Sequence, residues 1–94
     1  MTFDFTGQTI VVSGAASGIG LAIADAFSQH GASLELIDRN PDALATAAQQ
    51  LGNSARITTH SLDLNDSHQI QVLADQLRQR QVSIHALINN AGME

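Results

Sequence analysis

The chain has 94 residues, 44% of them hydrophobic, with a net charge of −5 and no cysteine, tyrosine, tryptophan or lysine, which bounds it to one small acidic domain. Without cysteine there is no disulfide frame, thiolate nucleophile or cysteine-based zinc site, and four arginines against nine acids leave no basic face for nucleic acid or anionic lipid. The opening Met1-Thr2-Phe3-Asp4-Phe5 carries an acid and no basic flank, and no apolar run approaches the roughly 18 residues of a membrane span, so the chain is expected to be cytoplasmic.

Short apolar runs alternate with helical patterns along the chain, the signature of βαβ units and a parallel sheet. Thr9 to Ser13 is a continuous β-branched run, as expected of a strand covered on both faces. A glycine-rich turn follows. Ile19, Ala22, Ile23, Ala26 and Phe27 then form the apolar stripe expected of a helix that ends at Gly31. Ser33 to Asp38 is the second expected strand. Asn40 followed by Pro41 supplies an N-cap and a first-turn proline, and Asp42 suits the positive helix end. The helix they open has Leu44, Ala47, Ala48 and Leu51 on one face, and Gly52-Asn53 is its expected stop. Ile57 to Leu62 is a half-polar third strand. Asp66 and Gln69 have the spacing of a capping box, and Ile70, Leu73, Ala74 and Leu77 continue it as a third helix. Ile84 to Asn89 is the fourth strand and runs into Asn90-Ala91-Gly92.

The segment from Ser13 to Gly20, SGAASGIG, closes a strand and opens a helix, the context in which a glycine turn binds a dinucleotide. Gly14 can take a backbone conformation closed to side chains, Gly18 lets the main chain approach a pyrophosphate, and Gly20 lets the helix pack closely on the strand. The helix end supplies N–H donors and partial positive charge, so no lysine is needed. Asp38 lies 18 residues beyond Gly20, at the end of the second strand, where a carboxylate accepts from both adenosine ribose hydroxyls and repels a 2′-phosphate. This favours NAD over NADP. Arg39 beside it would either pair with a phosphate or lie over the adenine ring, and Ser17 adds nothing for a 2′-phosphate. A glycine cluster alone is often only a turn, and a lone acid a solvated strand end; the inference rests on their conjunction. The histidines His30, His60, His68 and His85 show no paired metal-ligand spacing and are expected to be solvated or capping residues.

The glycine spacing is GxxxGxG rather than GxGxxG, and together with Asn89-Asn90-Ala91-Gly92 it resembles the short-chain dehydrogenase/reductase family over essentially the whole chain. Ser13 stands where that family usually has threonine. The resemblance implies that Gly14, Ser17, Gly18, Ile19 and Gly20 line the pyrophosphate and that Asp38 holds the ribose. It further implies that Asp63 and the Leu64 backbone meet the adenine amino group and that Asn90, Ala91 and Gly92 flank the cofactor. From the residues alone, Asp63-Leu64-Asn65-Asp66 fits a turn or cap equally well. The family's hydride transfer uses a YxxxK pair, in which the lysine lowers the tyrosine pKa. Neither residue occurs here, so this chain is expected to hold the cofactor-binding part without the catalytic half, and not to turn over alone. Ser61 and Ser83 are expected to be ordinary strand and loop residues.

The implied architecture is a partial Rossmann-type α/β fold, β-α-β-α-β-α-β in three layers over residues 1–94. Right-handed connections give strand order 3-2-1-4, with the first two helices on one face and the third on the other. The fourth strand would then be an exposed edge with a liability to self-associate. Two functions follow. One is an NAD(P)-dependent oxidoreductase acting on an alcohol or carbonyl substrate once the missing half is present. The other is a free-standing nucleotide-binding module without redox chemistry, and a YxxxK segment encoded beyond Glu94 would separate the two.

Overall fold

The computed structural model describes residues 4–52 and 56–90. The elements are β1 (Thr9–Ser13), α1 (Gly18–Gln29), β2 (Ser33–Asp38), α2 (Pro41–Leu51), β3 (Ile57–Ser61), α3 (Ser67–Gln79) and β4 (Ile84–Asn89). The strands form one parallel sheet in the order β3-β2-β1-β4, as the alternating pattern implied.

The period of two along the central strands divides their side chains between two cores. Ile10 and Val12 of β1, with Leu34 and Leu36 of β2, face α1 and α2, where Ala24, Leu44 and Leu51 meet them. Val11 and Ile37 face the opposite way, toward Leu73 and Leu77 of α3. The first two helices therefore share one face and the third covers the other. Each large side chain fully buried in these cores is worth about 2 kcal/mol relative to exposure.

Helix boundaries follow their caps. Asn40 Oδ1 accepts from the N–H groups of Asp42 and Ala43, both at 3.1 Å, and Pro41 occupies the first turn. Gly52 closes α2 with φ 83°, a left-handed conformation that favours glycine; Asn53, expected to share that stop, lies outside the described residues. Asn40→Ala is expected to cost about 1 kcal/mol in urea-unfolding experiments, with no change in m-value. An unchanged midpoint would mean that water replaces the cap at no cost.

Three expectations need correction. The stripe Ile19, Ala22, Ile23, Ala26 and Phe27 has the right period but the wrong phase for α1. The buried positions are Gly20, Ala24 and Ser28, whereas Ile19, Ala22 and Ala26 are exposed. Small residues at four-residue intervals let the helix axis come close to the sheet, and closeness rather than apolar bulk sets the inward face. On α3, Leu73 and Leu77 are buried as expected, but Ile70 and Ala74 are exposed, because α3 meets the sheet on a narrow line. β3 also ends at Ser61, one residue before expected; the Leu62 N–H still bonds the Asp38 carbonyl at 3.1 Å.

β4 begins with an irregularity. Thr9 is opposite Ile84 and Ile10 opposite Ala86, so His85 is the extra residue, and its Nδ1 accepts the Thr9 N–H at 3.0 Å. Ala86 and Ile88 pack against the first core, while Leu87, on the α3 side, is 64% exposed. Among the described residues, no helix is long and apolar enough to cross a membrane.

Candidate functional site

The carboxyl ends of β1, β2 and β4 converge on the turn between β1 and α1. The strand order reverses between β1 and β4, and in open α/β sheets ligands bind beyond the carboxyl ends of the strands at that point. Ser13 closes β1 opposite Asn89. Its hydroxyl donates to Asn89 Oδ1 at 2.8 Å and accepts the Asn90 N–H at 3.1 Å, clamping the two strand ends together.

The turn is built around the Gly14 carbonyl. Gly14 has φ 64°, and its oxygen accepts from the Ser17 N–H at 3.2 Å, the Ser17 hydroxyl at 2.8 Å and Asn90 Nδ2 at 3.3 Å. Ser17 is the N-cap of α1. Its hydroxyl also accepts from the Gly20 N–H at 3.3 Å and from Asn90 Nδ2 at 2.8 Å. That hydroxyl is thus committed to the turn itself.

The three glycines have three different environments. Gly14 supplies a left-handed conformation. At Gly20 an added Cβ would stand 2.0 Å from the Gly14 oxygen and 2.9 Å from Asn90 Nδ2, so the close approach is between the first turn of α1 and the glycine turn beyond β1. Gly18, at the start of α1, has neither constraint: an added Cβ would meet nothing within 4 Å. Ile19 beside it is 54% exposed.

Asp38 reaches this turn from the end of β2. Its Oδ2 accepts the Ala16 N–H at 3.0 Å and its Oδ1 accepts the Asn40 N–H at 3.2 Å. A carboxylate oxygen has two lone pairs, so each retains acceptor capacity. Arg39 is exposed next to it, and its carbonyl accepts from the Ser61 hydroxyl at 3.4 Å.

The remaining expected residues fall into two groups. Asp63 Oδ1 accepts the Asn65 N–H at 2.9 Å, an Asx turn, and the Asp63 N–H donates to Gln69 Oε1 at 2.8 Å. Gln69 thereby ties its capping arm to Asp63, while Asp66 caps α3 through the N–H groups of His68 and Gln69. Leu64 packs on the second core. Asn90 is 1% exposed behind the glycine turn, and its Oδ1 has no hydrogen-bond partner among the described residues. Ala91 and Gly92 lie outside the described residues.

One polar cluster was missed in the sequence. Glu35, in the middle of β2, pairs with both arms of Arg80 at 2.9 and 3.0 Å and lies 2.7 Å from His60 Nε2. His60 is therefore neither a solvated nor a capping residue; its side chain is 9% exposed. The available signal was an acid between Leu34 and Leu36 in an otherwise apolar strand. Among the described residues, no three His, Asp or Glu side chains are placed to hold a metal ion.

Comparison with known proteins gives one consistent result. The family described as short chain dehydrogenase matches residues 8–94. The chain is 34% identical over 88 residues to the oxidoreductase UcpA of Escherichia coli (strain K12), covering 94% of this chain and 34% of that protein. It is 35% identical over 91 residues to the human WW domain-containing oxidoreductase, covering 94% of this chain and 22% of that one. The crystal structure of L-sorbose reductase from Gluconobacter frateurii, solved with NADPH and L-sorbose, superposes with a TM-score of 0.87 at 32% identity, over 98% of this chain and 36% of that chain. The chain thus spans 34% of the length of one of these curated relatives and 22% of the other. A parallel sheet that reverses order beside a glycine turn, and a family match over all but seven residues, have a single explanation: the chain belongs to the short-chain dehydrogenase family.

Proposed function

We propose that this chain forms the adenosine- and pyrophosphate-binding part of an NAD-dependent oxidoreductase acting on an alcohol or carbonyl substrate. The observation that carries the reading is the open space at Gly18. Neither backbone conformation nor packing within the described residues demands glycine there, and a ligand brought against the start of α1 does. The donor set fits a dinucleotide: free N–H groups at the helix start face a pyrophosphate, and Asp38 retains acceptor capacity for ribose hydroxyls.

In this reading Gly14, Gly18, Ile19 and Gly20 present main chain to the pyrophosphate, and Ser17 and Asn90 hold that main chain in place. Asp38 accepts from the ribose and disfavours a 2′-phosphate, which selects NAD over NADP. Arg39 covers the adenine ring from the exposed side. Asp63 and Leu64 border the adenine, and the resemblance assigns Ala91 and Gly92, next in sequence after Asn90, to the cofactor. When bound, the nicotinamide supplies or receives hydride. The chain's own residues bind and orient; with no tyrosine and no lysine among its 94 residues, it supplies no YxxxK proton relay.

Calorimetric titration with NAD, AMP and NADP tests the reading. Saturable binding of NAD and AMP, with NAD about tenfold tighter than NADP, is expected from repulsion at Asp38. Gly18→Asp should abolish binding by placing a charged side chain where the diphosphate lies. No saturable binding of any of the three would overturn the assignment.

A further inference from the structure

We infer that Asp38 is a positioning residue for the glycine turn as well as a ribose acceptor, so that ribose recognition and the shape of the phosphate loop are coupled through one carboxylate. The inference builds on the nucleotide-binding reading, but its core lies in hydrogen bonds within the protein.

Two adjacent amides fasten the turn to β2. The Ala15 N–H bonds the Ile37 carbonyl at 3.1 Å, a backbone contact that any side chain at 37 would preserve. The Ala16 N–H bonds Asp38 Oδ2 at 3.0 Å, a contact that exists only because residue 38 carries an acceptor of this length. On the other side, Ser17 and Asn90 hold the Gly14 carbonyl. The turn is thus clamped from β4 by an asparagine and from β2 by Asp38. The second Asp38 oxygen holds the Asn40 N–H at 3.2 Å, so the same carboxylate also fixes the chain entering α2. An N–H bonded to a charged acceptor is held more firmly than one bonded to a neutral acceptor, and losing the acceptor leaves a partly buried donor unpaired.

A simple repulsion account gives residue 38 one task, rejecting a 2′-phosphate. On that account Asp38→Ala and Asp38→Asn, which remove the same charge, should relax cofactor choice equally. The coupling separates them. Asparagine retains one carbonyl acceptor that can still take the Ala16 N–H, whereas alanine retains none.

The test uses this chain and its two variants. Amide exchange at Ala16, without ligand, should rise about tenfold in Asp38→Ala and stay within about threefold of the parent in Asp38→Asn, with Val12 and Leu36 protected in all three. NADP should bind Asp38→Asn about tenfold more tightly than Asp38→Ala. Equal Ala16 exchange in the parent and Asp38→Ala, or equal NADP affinity in the two variants, would overturn the coupling. If the parent binds neither NAD nor NADP, the nucleotide reading fails, and the Ala16 exchange rates alone decide whether Asp38 latches the turn. Should Asp38→Ala fail to fold, Ala16 in the parent still decides: an amide exchanging at the rate of an open loop would refute the latch.

Discussion

Gly20→Ala is expected to destabilise the chain by about 3 kcal/mol and to abolish NAD binding, whereas Gly18→Ala leaves stability unchanged and weakens NAD binding about tenfold. The two glycines are two residues apart in one motif, and the difference is entirely geometric. An alanine Cβ at position 20 would stand 2.0 Å from the Gly14 oxygen and 2.8 Å from its carbonyl carbon. Those are backbone atoms, and three donors from Ser17 and Asn90 fix the oxygen in place. Relief therefore requires α1 to retreat from the turn by about 1 Å, which opens the packing of Ala24 and Ser28 behind it. At position 18 the Cβ enters open space, and alanine is a better helix former than glycine, so the fold loses nothing. The lost binding at 18 is then a direct measure of ligand occupying that space. Urea unfolding and NAD titration on both variants check the pair. Equal destabilisation would refute the packing argument, and NAD binding by Gly18→Ala at the parent affinity would remove the ligand from the start of α1.

Much of this architecture is visible in the residues because local and global signals agree. The β-branched run Thr9–Ser13, the Asn40-Pro41 cap and the Leu44, Ala47 and Leu51 face of α2 are each set by local residues, and right-handed crossovers give the strand order 3-2-1-4 when α1 and α2 cover one face and α3 the other. The phase of α1 was hidden for a physical reason. Hydrophobicity marks which residues prefer burial, but Gly20, Ala24 and Ser28 face the sheet because they are small, and the larger Ile19 is pushed outward beside the glycine turn. Within the candidate site, the glycines and Asp38 are legible as a motif. Their separate jobs are not, because a sequence shows neither that Gly18 faces open space nor that Asp38 reaches Ala16. Asn90 carries the same lesson: its place in the motif does not reveal that its Nδ2 bonds the Gly14 oxygen and the Ser17 hydroxyl while its Oδ1 has no partner among the described residues.

Glu35 governs how the fold responds to acid. Its carboxylate is buried on the α3 face of β2, and burial alone would raise its pKa. The hydrogen bonds from His60 and Arg80, with the positive charge they bring, outweigh that and hold the group at about 2, below its ordinary 4.5. A carboxyl whose pKa is depressed by folding stabilises the native state above its unfolded pKa, and that stabilisation disappears as the pH falls through the folded value. The Glu35 contribution is therefore complete above about pH 4.5 and is lost progressively toward pH 2. Glu35→Gln keeps the shape but leaves the Arg80 guanidinium and His60 without their anion, at an expected cost of about 2 kcal/mol at pH 7. That figure lies below the usual range for a broken buried pair because the Arg80 side chain is 42% exposed and water takes up part of its charge. Arg80→Ala should cost less, about 1 kcal/mol, since His60 still faces the carboxylate at 2.7 Å. Urea midpoints measured from pH 7 to pH 2 decide the matter: the gap between the parent chain and Glu35→Gln should be widest at neutral pH and close below pH 4.5. A gap that stays constant across that range would mean that the acid sensitivity of the fold arises elsewhere.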